Sequence, residues 1–243
     1  MQMRSFAKTD IGKAREINQD YYSIPTQEEE LEIFILADGM GGYNGGEIAS
    51  KLATDSVKSY IKNNFAQIEH SKESLLDLLQ SAIEYANMVV YEKSKSEKEL
   101  EGMGTTLDIC FIYNNKIYIG HVGDSRVYRI RGDVIRKLTK DHSYVQKLVE
   151  DGKITREEAN HHPKKNMLMK ALGCTAYVEP DIRARNLEKG DIILMCSDGL
   201  TNMVEEATIE KVVRENPELA PEKLVNLANN AGGYDNITVI TII

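Results

Sequence analysis

The stretch TTLDICFIYNNKIYIGHVGDSRVYRIRGDVIRKL, residues 105–138, consists of short apolar segments separated by turn residues. The segments are interrupted at Asn114-Asn115, at Gly123-Asp124-Ser125 and at Arg131-Gly132-Asp133. Asn and Gly tolerate the positive φ angles of tight turns, so each interruption is typical of a hairpin. The stretch therefore predicts an antiparallel meander whose strands are joined at these three points.

Helical periodicity surrounds this predicted meander. Apolar residues recur at intervals of three and four over residues 48–61 and again over residues 75–90, where Ser71 is a candidate N-cap. Pro221 stands at the first turn of a last predicted helix, and residues 237–243 form a closing strand. Strands outnumber helices, but the helices need a surface to cover. The sequence therefore predicts an α+β fold in which a mainly antiparallel sheet is covered by helices.

Composition limits the classes of protein to consider. The 243 residues include 30 Lys and Arg against 38 Asp and Glu, a formal net charge of −8. This acidic balance argues against a nucleic-acid-binding protein, which needs a basic face. No apolar run approaches the ~20 residues that span a bilayer, so we expect no membrane partner. The three cysteines form no CxxC pair, and the amino terminus lacks the apolar core of a signal peptide. We expect one cytoplasmic domain over residues 1–243.

Aspartates stand at the ends of apolar strands in several places. Taken alone, each aspartate could simply be a turn residue, because Asp before Gly is common in turns. Three of them follow apolar runs and two more belong with them, one of which precedes the closing strand, and the five together predict one acidic site. They are Asp20, Asp38, Asp124, Asp198 and Asp235.

Converging carboxylates need cations to neutralise them, since their mutual repulsion would otherwise raise their pKa values. Mg²⁺ and Mn²⁺ prefer oxygen ligands, and a few carboxylates with a backbone carbonyl suffice. Gly39 suits the carbonyl role, because the missing side chain allows close approach of the backbone. Two such ions bridged by one carboxylate lower the pKa of a shared water and clamp phosphoryl oxygens. The pattern thus indicates phosphoester hydrolysis.

A nucleotide-binding loop is the competing interpretation of the glycine-rich run 38–46, which precedes a predicted helix. A helix N-terminus does favour phosphate. The run lacks a GK[ST] motif, however, and no βαβ unit with an acidic residue at the expected offset follows it. We therefore favour the metal site.

The ordered motifs of the chain resemble those of metal-dependent serine/threonine protein phosphatases of the 2C type, in their compact bacterial form. The blocks extend from Thr9 to Ile240 and are TDIGKAREINQD, ILADGMGGYNGGEIAS, GMGTTL, IGHVGDSRVYRI, LTKDHSYVQKLVEDGKITREEA, CSDGLTNMV and GGYDNITVI. The resemblance implies a four-layer αββα sandwich of two antiparallel sheets flanked by helical pairs. It also implies a small flap subdomain over about residues 142–173.

The resemblance further implies a pair of Mn²⁺ or Mg²⁺ ions. At the matching positions, the ligands are Asp20, Asp38, the carbonyl of Gly39, Asp198 and Asp235. Asp38 would bridge the two ions. Asp20 and Gly39 would help to hold one of them, and Asp198 and Asp235 would hold the other.

Four more positions bear on the site. Asp124 matches the residue that joins Asp198 at a third, weaker metal site, and Arg15 matches the arginine that binds substrate phosphate. Gln19 replaces a glutamate that contacts metal through water in many members, so it contributes no charge. Met40 replaces the histidine that is proposed as general acid in eukaryotic members.

The implied activity is hydrolysis of phosphoserine and phosphothreonine in proteins by a water activated at the binuclear centre. The expected partners are phosphorylated proteins and a cognate bacterial Ser/Thr kinase, and we expect a monomer. One alternative is a catalytically poor member that acts as a regulatory binding module. Another is a phosphatase dedicated to one signalling partner, such as an anti-sigma-factor antagonist.

Overall fold

The structure, a computed structural model, describes residues 3–41 and 45–243. Residues 42–44 of the glycine-rich run lie outside the described residues. The strands in this part of the chain are β1 Ser5–Asp10, β2 Asp20–Ser23, β3 Glu32–Met40, β4 Gly104–Thr105, β5 Leu107–Tyr113, β6 Lys116–Val122, β7 Arg126–Arg131, β8 Val134–Lys137, β9 Asp181–Asn186, β10 Ile192–Cys196 and β11 Ile237–Ile242. The α-helices are α1 Gly46–Phe65, α2 Lys72–Ser96, α3 Tyr144–Glu150, α4 Arg156–Asn160, α5 Asp198–Thr201, α6 Glu206–Glu215 and α7 Ala220–Asn230.

The strands form two antiparallel sheets. One has the order β1-β11-β10-β7-β8, and the other has the order β2-β3-β5-β6-β9 with β4 paired to the end of β3. Ser71 caps α2 by accepting a hydrogen bond from the backbone N–H of Ser74, as the sequence predicted. Strands β1, β2 and β9 were not predicted. Their burial patterns are mostly intermediate, so their sequences lack the continuous apolar runs of the central strands.

Three apolar layers hold the sheets and helices together. Along β3, Ile33 and Ile35 pack with α1 and α2, whereas Phe34 and Leu36 face the other sheet. Because side chains alternate across a strand, one strand contributes to two layers. The third layer joins the outer face of the β10-containing sheet to α6 and α7. This arrangement of helices, sheet, sheet and helices confirms the predicted α+β sandwich of two antiparallel sheets flanked by helical pairs.

The predicted meander is wrong at one of its three turns. Asn114-Asn115 joins β5 to β6 with φ angles of 48° and 57°, and residues 131–134 join β7 to β8, as expected. Gly123-Asp124-Ser125, however, leads from β6 in one sheet to β7 in the other. A short turn between two apolar strands looks the same in sequence whether or not the strands pair. The crossing places Asp124 between the two sheets.

The segment over residues 142–173 contains two short helices, α3 and α4. An isolated bridge between Leu172 and Thr105 ties it to the core, and a second bridge, between Ser143 and Leu168, joins its two ends. Among the residues described, no helix combines the length and apolar character that crossing a membrane requires.

Candidate metal and phosphate site

Asp20 and Asp38 stand opposite each other on neighbouring strands β2 and β3. Asp38 is fixed by its backbone, because its N–H donates to Thr106 Oγ1 at 2.9 Å and its carbonyl accepts from Thr106 N at 2.8 Å. Gly39 N donates to the carbonyl of Gln19 at 3.0 Å. A Cβ at Gly39 would lie 2.1 Å from the Gly46 carbonyl oxygen, so only glycine fits there.

The second sheet contributes Asp198 and Asp235. Asp198 begins α5 directly after β10, and its Oδ2 accepts from Asn202 Nδ2 at 2.9 Å. Asp235 precedes β11, and its Oδ1 accepts from the backbone N–H of Asn236 at 2.9 Å. Ser197 links the two sheets, since its hydroxyl donates to Asp20 Oδ2 at 2.8 Å.

Asp124 reaches the same region from the turn that crosses between the sheets. Ser125, the next residue, is buried, and its Oγ lies 2.9 Å from Thr106 Oγ1. Since Thr106 also holds the backbone of Asp38, one buried threonine connects the loops that carry Asp124 and Asp38. The structure thus brings the five aspartates singled out in the sequence to one end of the sandwich.

The electrostatics show that these carboxylates repel one another. Burial raises the pKa of Asp20 to about 7 and the pKa of Asp198 to about 6, with neighbouring aspartates adding to both shifts. Burial, followed by the charges of Asp20 and Asp198, raises the pKa of Asp38 well above its usual range. Burial and Asp198 do the same to the pKa of Asp124. Without a cation, the cluster therefore favours protonation over full ionisation.

The donor set fits hard divalent cations. All candidate ligands are carboxylate or carbonyl oxygens, which Mg²⁺ and Mn²⁺ prefer. Asp20 Oδ1 is buried and has no hydrogen-bond partner among the described residues, so it is an acceptor that a cation would satisfy. Within residues 3–41 and 45–243, no three Asp, Glu, His or Cys side chains already form a compact ligand set. Ser197 donates to the other carboxylate oxygen of Asp20, and Asn202 donates to Asp198.

Arg15 is paired with one aspartate of this cluster. Its Nη2 donates to Asp235 Oδ2 at 2.8 Å, and half of its side chain is exposed. A planar guanidinium can bind two oxygens of a phosphate at once. The exposure leaves the rest of the guanidinium available to a ligand.

Gln19 and Met40 occupy the two positions that depart from the family pattern. Gln19 is nearly buried, and its Nε2 donates to Glu47 Oε2 at 3.4 Å. Met40 ends β3 opposite Gly104 and has no acidic hydrogen to donate. The side chain at position 40 therefore cannot protonate a leaving group.

Sequence reasoning missed the residues that support the site. Arg126 holds Asp141 through Nε and Nη2, the latter at 2.7 Å, next to the crossing turn. Buried His121 lies 2.7 Å from Asp108 Oδ1, and His142 accepts from Gly123 N at 3.2 Å through Nδ1. Polar residues within the apolar run of β5 and β6 were the available signal, because a buried polar side chain needs a partner.

Comparison with known proteins identifies the class. The sequence profile named Protein phosphatase 2C matches residues 12–224, and the chain belongs to this family of phosphatases. This result confirms the resemblance found in the sequence motifs. A serine/threonine phosphatase, stp, of Listeria innocua is 38% identical over 242 residues, which cover 99% of this chain and 95% of that protein.

Solved structures agree with this membership. Serine/threonine phosphatase Stp1 from Staphylococcus aureus superimposes with a TM-score of 0.91 at 33% identity, covering 100% of this chain and 95% of that chain. The catalytic domain of the serine/threonine protein phosphatase PstP, solved in complex with two manganese ions, superimposes with a TM-score of 0.86 at 34% identity. That match covers 99% of this chain and 97% of the solved catalytic-domain chain.

Proposed function

We propose that this chain hydrolyses phosphoserine and phosphothreonine esters in proteins and that its activity needs two Mn²⁺ or Mg²⁺ ions. The observation that carries the proposal is the convergence of Asp20, Asp38, Asp198 and Asp235 on one end of the sandwich, where burial and the charges of neighbouring aspartates raise the pKa values of Asp20, Asp38 and Asp198. Four carboxylates in a cluster with few cations are costly unless metal ions neutralise them.

The ligand roles are those that the family resemblance implies. Asp38 lies opposite Asp20 on the neighbouring strand, and the charges of Asp20 and Asp198 both raise its pKa, so a bridging role for Asp38 fits the site. Asp20 and the carbonyl of Gly39 would serve one ion, and Asp198 and Asp235 would serve the second. When bound, such a pair lowers the pKa of a bridging water and stabilises charge on the phosphoryl oxygens.

The protein's own residues orient the substrate and the ligands. Arg15 would bind two phosphate oxygens and hold the ester in line for attack. Thr106 fixes the backbone of Asp38 from two sides, and Ser197 orients Asp20. With Met40 at the end of β3, water is the proton donor that we assign to the leaving alkoxide.

Asp124 would form a third, weaker metal site with Asp198. Burial raises the pKa of Asp124 and the charge of Asp198 adds to this shift, so an ion held by both carboxylates would relieve their repulsion. Segment 142–173, the proposed flap within a single domain over residues 1–243, begins at His142, which is hydrogen-bonded to Gly123 next to Asp124. Such a position suits a segment that governs access to the site.

The names of the relatives support the proposed substrate class, since both Listeria innocua stp and Staphylococcus aureus Stp1 are called serine/threonine phosphatases. Phosphorylated proteins are therefore the proposed partners, with a cognate Ser/Thr kinase supplying them. We further propose a cytoplasmic monomer. Gel filtration with light scattering would test the oligomeric state.

The decisive experiment measures hydrolysis of an aryl phosphate and of a phosphothreonine peptide with Mn²⁺, with Mg²⁺ and with excess chelator. Activity with either metal, and its loss with chelator, would support the proposal. The same assays on Asp38→Asn test the proposed bridging ligand. Asp133→Asn is the matched control, because Asp133 is 86% exposed and lies on the turn between β7 and β8. Chelator-resistant turnover would refute the mechanism, and a folded protein without turnover would favour the binding-module alternative.

A further inference from the structure

The loop that carries Arg15 is fastened at both ends by one side chain. Asn236 Nδ2 donates to the carbonyl of Ile11 at 2.9 Å and to the carbonyl of Ile17 at 3.0 Å. Its Oδ1 accepts from the backbone N–H of Gln19 at 2.9 Å. Asn236 is only 4% exposed, so these three bonds form out of contact with water.

The loop itself is open to solvent. Ile11 and Ile17 are 37% and 46% exposed, and residues 13–16 between them are exposed as well. Backbone contacts hold the middle of the loop, where Lys13 N and Ala14 N donate to the carbonyl of Gly233 at 2.7 and 3.2 Å. An exposed loop without an apolar anchor depends on such polar contacts for its shape.

The neighbour of Asn236 acts on the tip of the same loop. Asp235 pairs with the Arg15 guanidinium, while Asn236 holds the backbone on either side of it. Two consecutive residues before β11 thus control the charge environment and the position of Arg15. Gly12 strengthens the docking, because a Cβ there would lie 2.3 Å from the Asp235 carbonyl oxygen.

We propose that Asn236 is a positioning residue that holds the Arg15 loop in the conformation that binds substrate phosphate. The inference rests on the proposed phosphatase function. Asn236 touches neither substrate nor metal in this account and acts through Arg15. Loss of the Asn236 side chain should therefore weaken phosphate binding when Arg15 is present and have little effect on it when Arg15 is absent.

The first test is a double-mutant cycle with Arg15→Ala, read as KM and kcat for an aryl phosphate with Mn²⁺. Asn236→Ala should raise KM about fivefold, the scale of one lost hydrogen bond, and should change kcat by less than about threefold. In the Arg15→Ala background the same substitution should change KM by less than about twofold. Equal factors in both backgrounds, or a fall in kcat alone, would overturn the proposal.

Asn87 offers a matched control. It is 1% exposed and makes the same pattern of three bonds, donating to the carbonyls of Thr175 and Ala176 and accepting from Gly173 N at 2.9 Å. Asn87→Ala should therefore lower thermal stability about as much as Asn236→Ala. Its effect on KM should be the same with and without Arg15.

A second variant covers the case in which Asn236→Ala does not fold. Asn236→Ser adds no charge to the acidic cluster, but its single hydroxyl can donate to only one of the carbonyls of Ile11 and Ile17. It should also raise KM only when Arg15 is present. Hydrogen exchange of the metal-free protein is an independent readout, with faster exchange over residues 12–17 expected in both Asn236 variants and not in Asn87→Ala.

The outcomes separate this inference from the proposed function. An inactive wild-type protein would refute the phosphatase assignment, and hydrogen exchange would still test whether Asn236 holds the Arg15 loop. An active wild-type protein with additive Asn236 and Arg15 effects would refute only the positioning role. If neither variant folds, hydrogen exchange of the wild-type protein still tests the positioning role. Fast exchange of the Gln19 amide would show that its hydrogen bond to Asn236 does not hold the loop, and would overturn the proposal.

Discussion

Arg15 Nη2 donates a hydrogen bond to Asp235 Oδ2 at 2.8 Å, so the proposed phosphate-binding group is paired with a proposed metal ligand. The side chains are 50% and 30% exposed, and such a pair contributes little to folding stability. Its consequence is functional. A cation that takes up the charge of Asp235 would weaken this pair and release the guanidinium for phosphate.

Arg15→Ala should raise KM for an aryl phosphate by about tenfold or more while kcat changes less, because the arginine binds phosphate in both ground and transition states. Arg15→Lys should recover only part of the loss, since an ammonium cannot bind two oxygens in one plane. Steady-state kinetics at saturating Mn²⁺ measure both values. A large fall in kcat at unchanged KM would contradict the assigned role.

Asp38→Asn should lower kcat by ~10³-fold or more, because it removes the carboxylate proposed to bridge both ions. The same substitution should leave the metal-free protein as stable as the wild type or more stable, since it relieves repulsion within the cluster. Turnover in Mn²⁺ tests the expected fall in kcat, and thermal unfolding in chelator tests the expected stability of the metal-free protein. Near-normal turnover would remove Asp38 from the mechanism.

The metal-free protein should lose stability as the pH rises from about 5 to 8. Burial raises the pKa of Asp20 to about 7 and that of Asp198 to about 6. Between the unfolded pKa, about 4, and these values, the folded protein binds more protons than the unfolded chain, so stability falls with rising pH. Unfolding temperatures in chelator should show this slope.

Two comparisons isolate the aspartates from other titrating groups. Asp198→Asn should flatten the slope, because the variant lacks one of the raised pKa values. Mn²⁺ should raise the unfolding temperature more at pH 8 than at pH 5.5, because at pH 8 the ion displaces fewer protons from the aspartates. If the unfolding temperature of the wild type instead rises with pH over this range, with the same slope as in Asp198→Asn, the raised pKa values of the aspartates do not govern stability.

The turn between β5 and β6 gives a test of the fold that does not involve the site. Asn114 and Asn115 have φ angles of 48° and 57°, which suit a two-residue hairpin turn that favours Asn-Gly. Asn115→Gly should therefore change the free energy of unfolding by less than ~1 kcal/mol, and Asn115→Val should destabilise by ~1 kcal/mol or more. Urea unfolding of both variants gives the comparison.

The limits of sequence reasoning are clearest at two kinds of residue. The continuous apolar run Ile33, Phe34, Ile35 and Leu36 before Asp38 is typical of a buried strand, but such a run does not tell which face meets helices and which meets a second sheet. The turn at Asp124 has the sequence of a hairpin, because local turn chemistry carries no information about which sheet a strand joins.

Site residues divide in the same way. Aspartates at strand ends could be recognised, since ionisable residues next to apolar runs stand out. Asn236 could be placed in a motif, but its three partners come from residues more than 200 positions away. Only the fold, which pairs β1 with β11, brings those groups together.

Calorimetric titration of the metal-free, folded protein with Mn²⁺ near pH 8 measures whether the clustered carboxylates bind metal. We expect uptake of two ions per chain, with weaker binding at a third site that Asp124→Asn removes and a marked loss of affinity in Asp38→Asn. Absence of Mn²⁺ binding by the folded wild-type protein, or unchanged binding in Asp38→Asn, would refute the proposed metal centre.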